Sequence, residues 1–323
     1  MRTSTLGRTG VTVTELGLGG GPLGNLYAEV EDATARATVD AAWEAGVRYF
    51  DTAPHYGLGL AERRLGAALA DKPRAEYAVS TKIGRLLEPN PRRTGSDLAA
   101  GGFAVPDDLR RRWDFSADGV RRSLAASLQR LGLDRVDVLL VHDADEHVDQ
   151  AIAEAIPALV ELRDQGVVGA VGVGMNQWQA PLRMVTETPI DVVMLAGRWT
   201  LLDRSGAPLL EACAERGVSV LAAAPYNSGL LARPRPTAES FLDYVPVRPD
   251  PLERATALAD ACDRHGVELP AAALRFPLRH PAVAAVVAGV RSPNELTAAV
   301  DRVRTPIPGQ LWTDLQRWTD RER

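Results

Sequence analysis

Residues 49–57 read YFDTAPHYG and place an acid, Asp51, five residues before a phenol, Tyr56. The apolar run that begins at Val47 predicts a buried strand ending at Asp51, because Pro54 cannot continue a hydrogen-bonded ladder. In α/β folds the chemistry collects at such strand ends. The stretch therefore predicts an acid and a phenol at one edge of a sheet.

Two further predicted strands end on polar side chains, Lys82 and His142. A tyrosine passes a proton at neutral pH only if its pKa is pulled below about 10. A nearby Lys82 ammonium would lower the pKa of Tyr56, and Asp51 would keep Lys82 charged and in place. His142 would orient the carbonyl or hydroxyl group. Each residue alone also fits a structural role, but the ordered set favours catalysis.

The motif FDTAPHYG (50–57), followed by Gly59 and ERRLG (62–66), resembles the aldo-keto reductase superfamily. The resemblance runs from TLGRTG (5–10) to Ser292-Pro293. Three further stretches are similar to the branch that oxidises sugars, the aldose, fucose and arabinose 1-dehydrogenases, which includes a pyridoxal dehydrogenase. These stretches are VHDAD (141–145), AGRWTLLD (196–203) and PYNSG (225–229).

The bulk composition is that of an ordinary globular protein. With 323 residues, 46% hydrophobic and 24% charged, the chain suits a single α/β barrel domain, residues 1–323. A net charge of −5 without a basic run argues against nucleic-acid and membrane partners. The start lacks a signal peptide, and Cys213 and Cys262 suggest two buried thiols rather than a disulfide. We expect a cytoplasmic protein.

Eight strand–helix units predict one closed (β/α)8 TIM barrel with an N-terminal β-hairpin at residues 3–13. Two long segments at the mouth, 84–115 and 225–249, are expected to be irregular. The first is expected to fold over the substrate as a lid. Long helices are expected at 148–164, 252–265 and 270–279.

Gly19, Gly21 and Gly24 spell the dinucleotide fingerprint GxGxxG of a Rossmann fold. Pro22 and the missing helix after Gly24 argue against that interpretation, so a tight turn at the barrel mouth is preferred. No cluster of His, Cys, Asp or Glu has metal-ligand spacing, so no metal is expected.

The resemblance implies an NAD(P) cofactor and assigns its binding residues. Asn176 would hold the nicotinamide carboxamide. An aromatic residue often stacks on the nicotinamide, but Ala223 or Ala224 stands at that position here, and Tyr226 is the proposed substitute. Small side chains and free amides would bind the phosphates. The phosphate-binding candidates are Pro225, Asn227, Ser228, Gly229, Gly289, Arg291 and Ser292.

The last helix bears on the choice between NAD and NADP. Family members that prefer NADP carry basic residues at positions that here hold Gly289 and Glu295. A glutamate repels a 2′-phosphate but accepts hydrogen bonds from ribose hydroxyls. Arg291 argues for NADP, yet Glu295 is expected to dominate and to favour NAD.

The resemblance implies a sugar 1-dehydrogenase acting on a fucose- or arabinose-like aldose, as a monomer or small homo-oligomer. The substrate-side candidates are His55, Arg85, Trp113, Arg198 and Trp199. Alternatives are a carbonyl reductase, a pyridoxal 4-dehydrogenase, a nucleotide-sensing regulatory subunit, or a barrel enzyme without redox chemistry that binds phosphate.

Overall fold

The computed structural model describes the backbone of residues 1–320 and the side chains of residues 1–316. Its strands are β1 (Thr3–Thr5), β2 (Thr12–Thr14), β3 (Leu16–Gly19), β4 (Tyr49–Asp51), β5 (Ala78–Ile83), β6 (Arg85–Pro89), β7 (Leu109–Trp113), β8 (Val138–His142), β9 (Ala170–Met175), β10 (Val192–Ala196), β11 (Ser219–Ala223), β12 (Phe241–Leu242), β13 (Val245–Pro246) and β14 (Val283–Gly289). Eight of them close into a parallel barrel in the order β3-β4-β5-β8-β9-β10-β11-β14. The expected (β/α)8 fold is confirmed.

The helices lie between the barrel strands and in the mouth segments. They are α1 (Asp32–Glu44), α2 (Leu60–Leu69), α3 (Leu98–Gly101), α4 (Ala117–Leu131), α5 (Val148–Gln150), α6 (Ile156–Asp164), α7 (Gln179–Glu187), α8 (Ala207–Arg216), α9 (Pro249–Asp263), α10 (Leu269–Arg275), α11 (Pro293–Arg304) and α12 (Gly309–Asp320). Within the described residues, no helix is both long and apolar enough to cross a membrane.

The N-terminal hairpin β1–β2 closes one end of the barrel. Leu6 and Val13 are fully buried and pack into the cluster of side chains that fills the barrel interior. Gly7 has φ +51°, and a Cβ there would lie 2.7 Å from the Asp191 carbonyl oxygen, so only glycine allows this approach. The opposite end, where the strands finish, is left open for a site.

The sequence predicted that the segment 84–115 is irregular, but both of its ends form strands. Strands β6 and β7 pair antiparallel along their whole length, from Arg85 opposite Trp113 to Pro89 opposite Leu109. The three consecutive arginines 110–112 hide the strand, because they break the alternation of polar and apolar residues. Arg110 and Arg112 pair with Glu88 across the hairpin, which stabilises it.

Smaller differences have local causes. The segment 225–249 contains the short hairpin β12–β13, whose strands have two residues each. Helix α9 begins at Pro249, because proline suits the first turn of a helix. Pro277 ends the predicted helix 270–279 early, and only a short 3₁₀ turn follows α10. The predicted helix 148–164 contains a π-helical stretch at 151–155. Cys213 and Cys262 are buried free thiols, as expected.

Candidate active site

Three residues at strand ends and one residue in a turn meet at the open end of the barrel. Asp51, Lys82 and His142 stand at or near the ends of β4, β5 and β8, and Tyr56 lies in the turn between β4 and α2. All four line a cavity of about 610 Å³. That volume lies within the usual range for small-molecule sites. The structure therefore brings the predicted catalytic set together.

The Lys82 ammonium connects the acid to the phenol. Its Nζ donates to both Asp51 oxygens, at 2.9 and 2.7 Å, and to the Thr52 carbonyl at 3.0 Å. The same Nζ lies 3.1 Å from the Tyr56 hydroxyl. Ser80 Oγ also donates to Asp51, at 2.7 Å. These contacts fix a buried cation directly beside the phenol.

Burial and charge oppose each other at this centre. Burial disfavours the charge of Lys82, but Asp51 and Tyr56 outweigh it, so the pKa of Lys82 is raised and the ammonium persists. Burial raises the pKa of Tyr56, and Lys82 offsets this only in part. The prediction that Lys82 lowers the Tyr56 pKa overall is therefore wrong. The Tyr56 phenol therefore holds its proton more strongly than a free tyrosine does.

Two histidines beside Tyr56 are neutral. Burial, with Arg85 and Lys82 close by, holds the pKa of His142 well below its usual value. Burial and the cations Arg85 and Arg111 lower the pKa of His55 in the same way. The His142 ring stands edge-on to the Tyr56 ring, with centroids 5.9 Å apart. A neutral imidazole there can hydrogen-bond a substrate oxygen without competing for the proton.

The hairpin β6–β7 forms one wall through Arg111. Its guanidinium binds both oxygens of Asp97, at 2.6 and 2.7 Å, and donates to the His55 carbonyl at 3.0 Å and to His55 Nδ1. Phe103, in the connecting loop, packs edge-on against the His55 ring at 5.1 Å. The mouth segment is thus anchored to the candidate active site.

Several lining residues were missed by the sequence analysis. Asp143, directly after His142, bonds to Arg85 at the cavity wall. Tyr27 and Tyr244 line the mouth with their ring centroids 6.4 Å apart. Asp143 belongs to the VHDAD stretch, which could have signalled it. The two tyrosines come from loops about 200 residues apart, and no local pattern links them.

A second part of the cavity is suited to a flat, partly apolar ring. Asn176 provides an amide there, and Gly289 and Gly19 form a wall without side chains. Met194 and Val287 add apolar surface. Ala223 and Ala224 also line it, at the position where the resemblance implies an aromatic residue that stacks on the nicotinamide. Tyr226, the proposed substitute, instead packs against both large apolar clusters of the fold and is not among the lining residues.

The remaining cofactor candidates lie outside this cavity. Ser228 Oγ accepts a hydrogen bond from the Tyr244 amide at 3.2 Å. In the segment 224–229, four residues adopt positive φ, and one of them is glycine. Each non-glycine residue in this conformation costs about 1–3 kcal/mol, so the segment carries several kcal/mol of backbone strain. The residues not lining the cavity are Pro225, Asn227, Ser228, Gly229, Arg291, Ser292 and Glu295.

Three substrate-side candidates also lie outside the cavity lining. Trp113 is 44% exposed, and the Arg85 guanidinium stands 4.5 Å from its ring centre. Arg198 binds Asp243 at 3.0 and 2.9 Å and so holds the hairpin β12–β13. Trp199 packs against Phe276, with ring centroids 5.4 Å apart. Only His55 and Arg85 of the five line the cavity.

At the open end of the barrel, a buried Asp–Lys–Tyr chain and a neutral histidine place a phenol that can exchange a proton beside a fixed cation. The family model for the aldo/keto reductase family matches residues 15–318, and the chain belongs to that family. Family membership implies NAD(P) as the cofactor. The amide and apolar lining beside Tyr56 fit a nicotinamide ring.

Relatives cover nearly the whole chain. D-threo-aldose 1-dehydrogenase of a Pseudomonas species is 47% identical, over 95% of this chain and 94% of that protein. Pyridoxal 4-dehydrogenase of Microbacterium luteolum is 41% identical, over 96% and 95%. The holo form of an aldo-keto reductase from Bacillus halodurans superposes with a TM-score of 0.80 at 28% identity, covering 98% and 96%.

Proposed function

We propose that this protein oxidises C1 of a cyclic aldose, of the fucose or arabinose kind, to the lactone. The proposal rests on the Tyr56–Lys82 contact of 3.1 Å inside the cavity, combined with the similarity to an aldose 1-dehydrogenase. Tyr56, ionised, takes the proton of the C1 hydroxyl. An oxidised nicotinamide held beside Asn176 would supply the hydride acceptor for C1, so that loss of the proton and the hydride would leave the lactone carbonyl.

The other residues position and tune this step. Lys82 stabilises the Tyr56 phenolate by its charge, and Asp51 holds Lys82. His142 donates to or accepts from the C1 oxygen. Asn176 is proposed to bind the carboxamide of the nicotinamide. The segments 225–229 and 289–292 are proposed to bind the phosphates of the cofactor. In the reverse direction, Tyr56 returns the proton to a carbonyl oxygen.

The test is a substrate panel followed by the absorbance of reduced nicotinamide. Aldoses of both series and pyridoxal are offered with NAD and with NADP. We expect turnover of at least one aldose and none without cofactor. Pyridoxal is the second candidate substrate because of the 41% identical relative and the aromatic wall of Tyr27, Phe103 and Tyr244. Turnover of pyridoxal but of no aldose would replace the proposal.

We also propose a preference for NAD over NADP. Glu295 places a carboxylate at the start of α11, where it accepts from the Arg291 amide at 2.8 Å. The Arg291 guanidinium is engaged with the carbonyls of Leu26 and Ala28, at 3.0 and 3.1 Å, and so is held away from the role of a free phosphate ligand. These contacts favour ribose hydroxyls over a 2′-phosphate.

The cofactor proposal predicts a ratio of kcat/KM that favours NAD. Glu295→Arg should shift that ratio towards NADP about tenfold to a hundredfold, the value of one charge-assisted hydrogen bond. Glu154→Arg is the control, since it makes the same charge change on an exposed helical residue after β8, across the barrel. A wild-type ratio favouring NADP would contradict the proposal.

We propose further that residues 1–323 act as one barrel domain in the cytoplasm, as a monomer or small homo-oligomer. The net charge of −5 and the two unpaired thiols support this setting and argue against nucleic acid or membrane as partners. Sedimentation and cell fractionation test it. Recovery with membranes or nucleic acid would refute it.

A further inference from the structure

Asp143 stands at the reaction centre without a role in the proton transfer. It follows His142 directly, lines the cavity, and has a side chain only 17% exposed. Its backbone has φ +43°, a left-handed conformation that few residues besides Gly, Asn and Asp adopt, and its amide donates to the Gly174 carbonyl at 3.0 Å. Residues in such conformations cluster at functional sites.

The carboxylate is engaged on one side only. Asp143 Oδ2 accepts from Arg85 Nη2 and lies 3.5 Å from His142 Nε2. No described residue donates a hydrogen bond to Oδ1, and this oxygen is not enclosed by the protein. The wall beside Tyr56 thus presents an acceptor oxygen next to a guanidinium that carries several donors.

This pair matches the chemistry of a polyhydroxylated substrate. A carboxylate accepts hydrogen bonds from one or two hydroxyls, and a guanidinium donates to hydroxyl or ring oxygens. Arg85 is itself held over the Trp113 ring at 4.5 Å, so its orientation is fixed before substrate enters. A simple aldehyde without hydroxyls cannot donate a hydrogen bond to the Asp143 carboxylate.

We propose that Asp143, with Arg85, binds the ring hydroxyls of the sugar and selects polyhydroxylated substrates over simple aldehydes. This inference rests on the proposed aldose oxidation and names Asp143 as its specificity residue. A site built to hydrogen-bond a substrate hydroxyl discriminates strongly, because an analogue that lacks the hydroxyl leaves buried polar groups unpaired. Asp143 acts on binding and orientation, while Tyr56 still moves the proton.

The test is a cycle between enzyme and substrate variants. Asp143→Asn is chosen because asparagine tolerates positive φ and keeps the side-chain shape. For the best aldose of the panel, we expect kcat/KM to fall about tenfold to a hundredfold in this variant. With a deoxy analogue that lacks the contacted hydroxyl, wild type and variant should differ by less than about threefold.

A second readout separates specificity from damage. Reduction of benzaldehyde, which has no hydroxyl, should stay within about threefold of wild type in Asp143→Asn. Arg85→Lys should show the same selective loss, and it serves if Asp143→Asn does not fold by its thermal midpoint. Asp149→Asn is the matched control, an exposed carboxylate that pairs with Arg183 and does not line the cavity.

Two results would overturn the inference. Equal losses of kcat/KM on the aldose, the deoxy analogue and benzaldehyde would mean that Asp143 only positions His142 or stabilises the fold. Unchanged kcat/KM for the aldose would remove it from substrate binding. A wild-type enzyme that oxidises no aldose is a distinct outcome, which refutes the proposed function and this inference with it.

Discussion

Lys82→Met separates the catalytic role of the lysine from its structural role. The substitution removes the cation that contacts both Asp51 and Tyr56, and it leaves a carboxylate that is only 3% exposed without its counter-ion. Breaking such a buried pair costs about 3–5 kcal/mol of unfolding free energy. Loss of the phenolate-stabilising charge should lower kcat about 10²–10⁴-fold.

The double variant Lys82→Met with Asp51→Asn is the control. Asparagine removes the orphaned charge, so most of the lost stability should return while kcat stays low. Unfolding in urea, followed by tryptophan fluorescence, gives the first quantity, and reduced-nicotinamide absorbance gives the second.

A loss of less than about 1 kcal/mol of unfolding free energy in the single variant, as in ordinary substitutions, would contradict this expectation. So would a double variant that is no more stable than the single one. Either result would mean that the buried pair in the structure is not an energetic unit. A double variant with wild-type kcat would remove Lys82 from the mechanism.

Tyr56→Phe should abolish turnover, by about 10²–10⁴-fold, and leave NADH fluorescence quenching intact; more than a third of wild-type activity would refute its role. Because burial raises the Tyr56 pKa, oxidation should accelerate as pH rises above neutral, while reduction slows only in the alkaline range. Since the His142 pKa lies well below its usual value, reduction should stay level between about pH 6 and 7, and a histidine-like fall there would contradict this. Arg111→Gln should raise KM and destabilise by about 3–5 kcal/mol, because Asp97 loses its buried partner, as urea unfolding would show.

The barrel and the catalytic set were predictable from the sequence. Apolar runs that stop at Asp51, Lys82 and His142 mark the ends of parallel strands, and parallel strands share one edge. The topology alone then brings those side chains together. Tyr56 follows Asp51 so closely that the turn before α2 must hold it at the same edge.

Other features depend on contacts that no local pattern shows. The hairpin β6–β7 is held by ion pairs between its strands, and its arginines hide the usual alternation. The chain turns at Ala224, with φ +52°, and Tyr226 packs against the two large apolar clusters and does not line the cavity. The Tyr56 pKa needs the extent of burial, which only the folded structure supplies.

Closure of the barrel also sets an order of events during synthesis. Strand β3 pairs with β14, with Leu16 opposite Val286 and Gly19 opposite Gly289. Its final neighbour leaves the ribosome roughly 260 residues later, a delay of roughly 13–50 s at typical elongation rates. Until then β3 carries an unpaired edge, and the cavity lacks the Gly289 wall. The nascent chain therefore cannot complete its cavity before β14 is made, and until then it exposes a strand edge of the kind that favours aggregation.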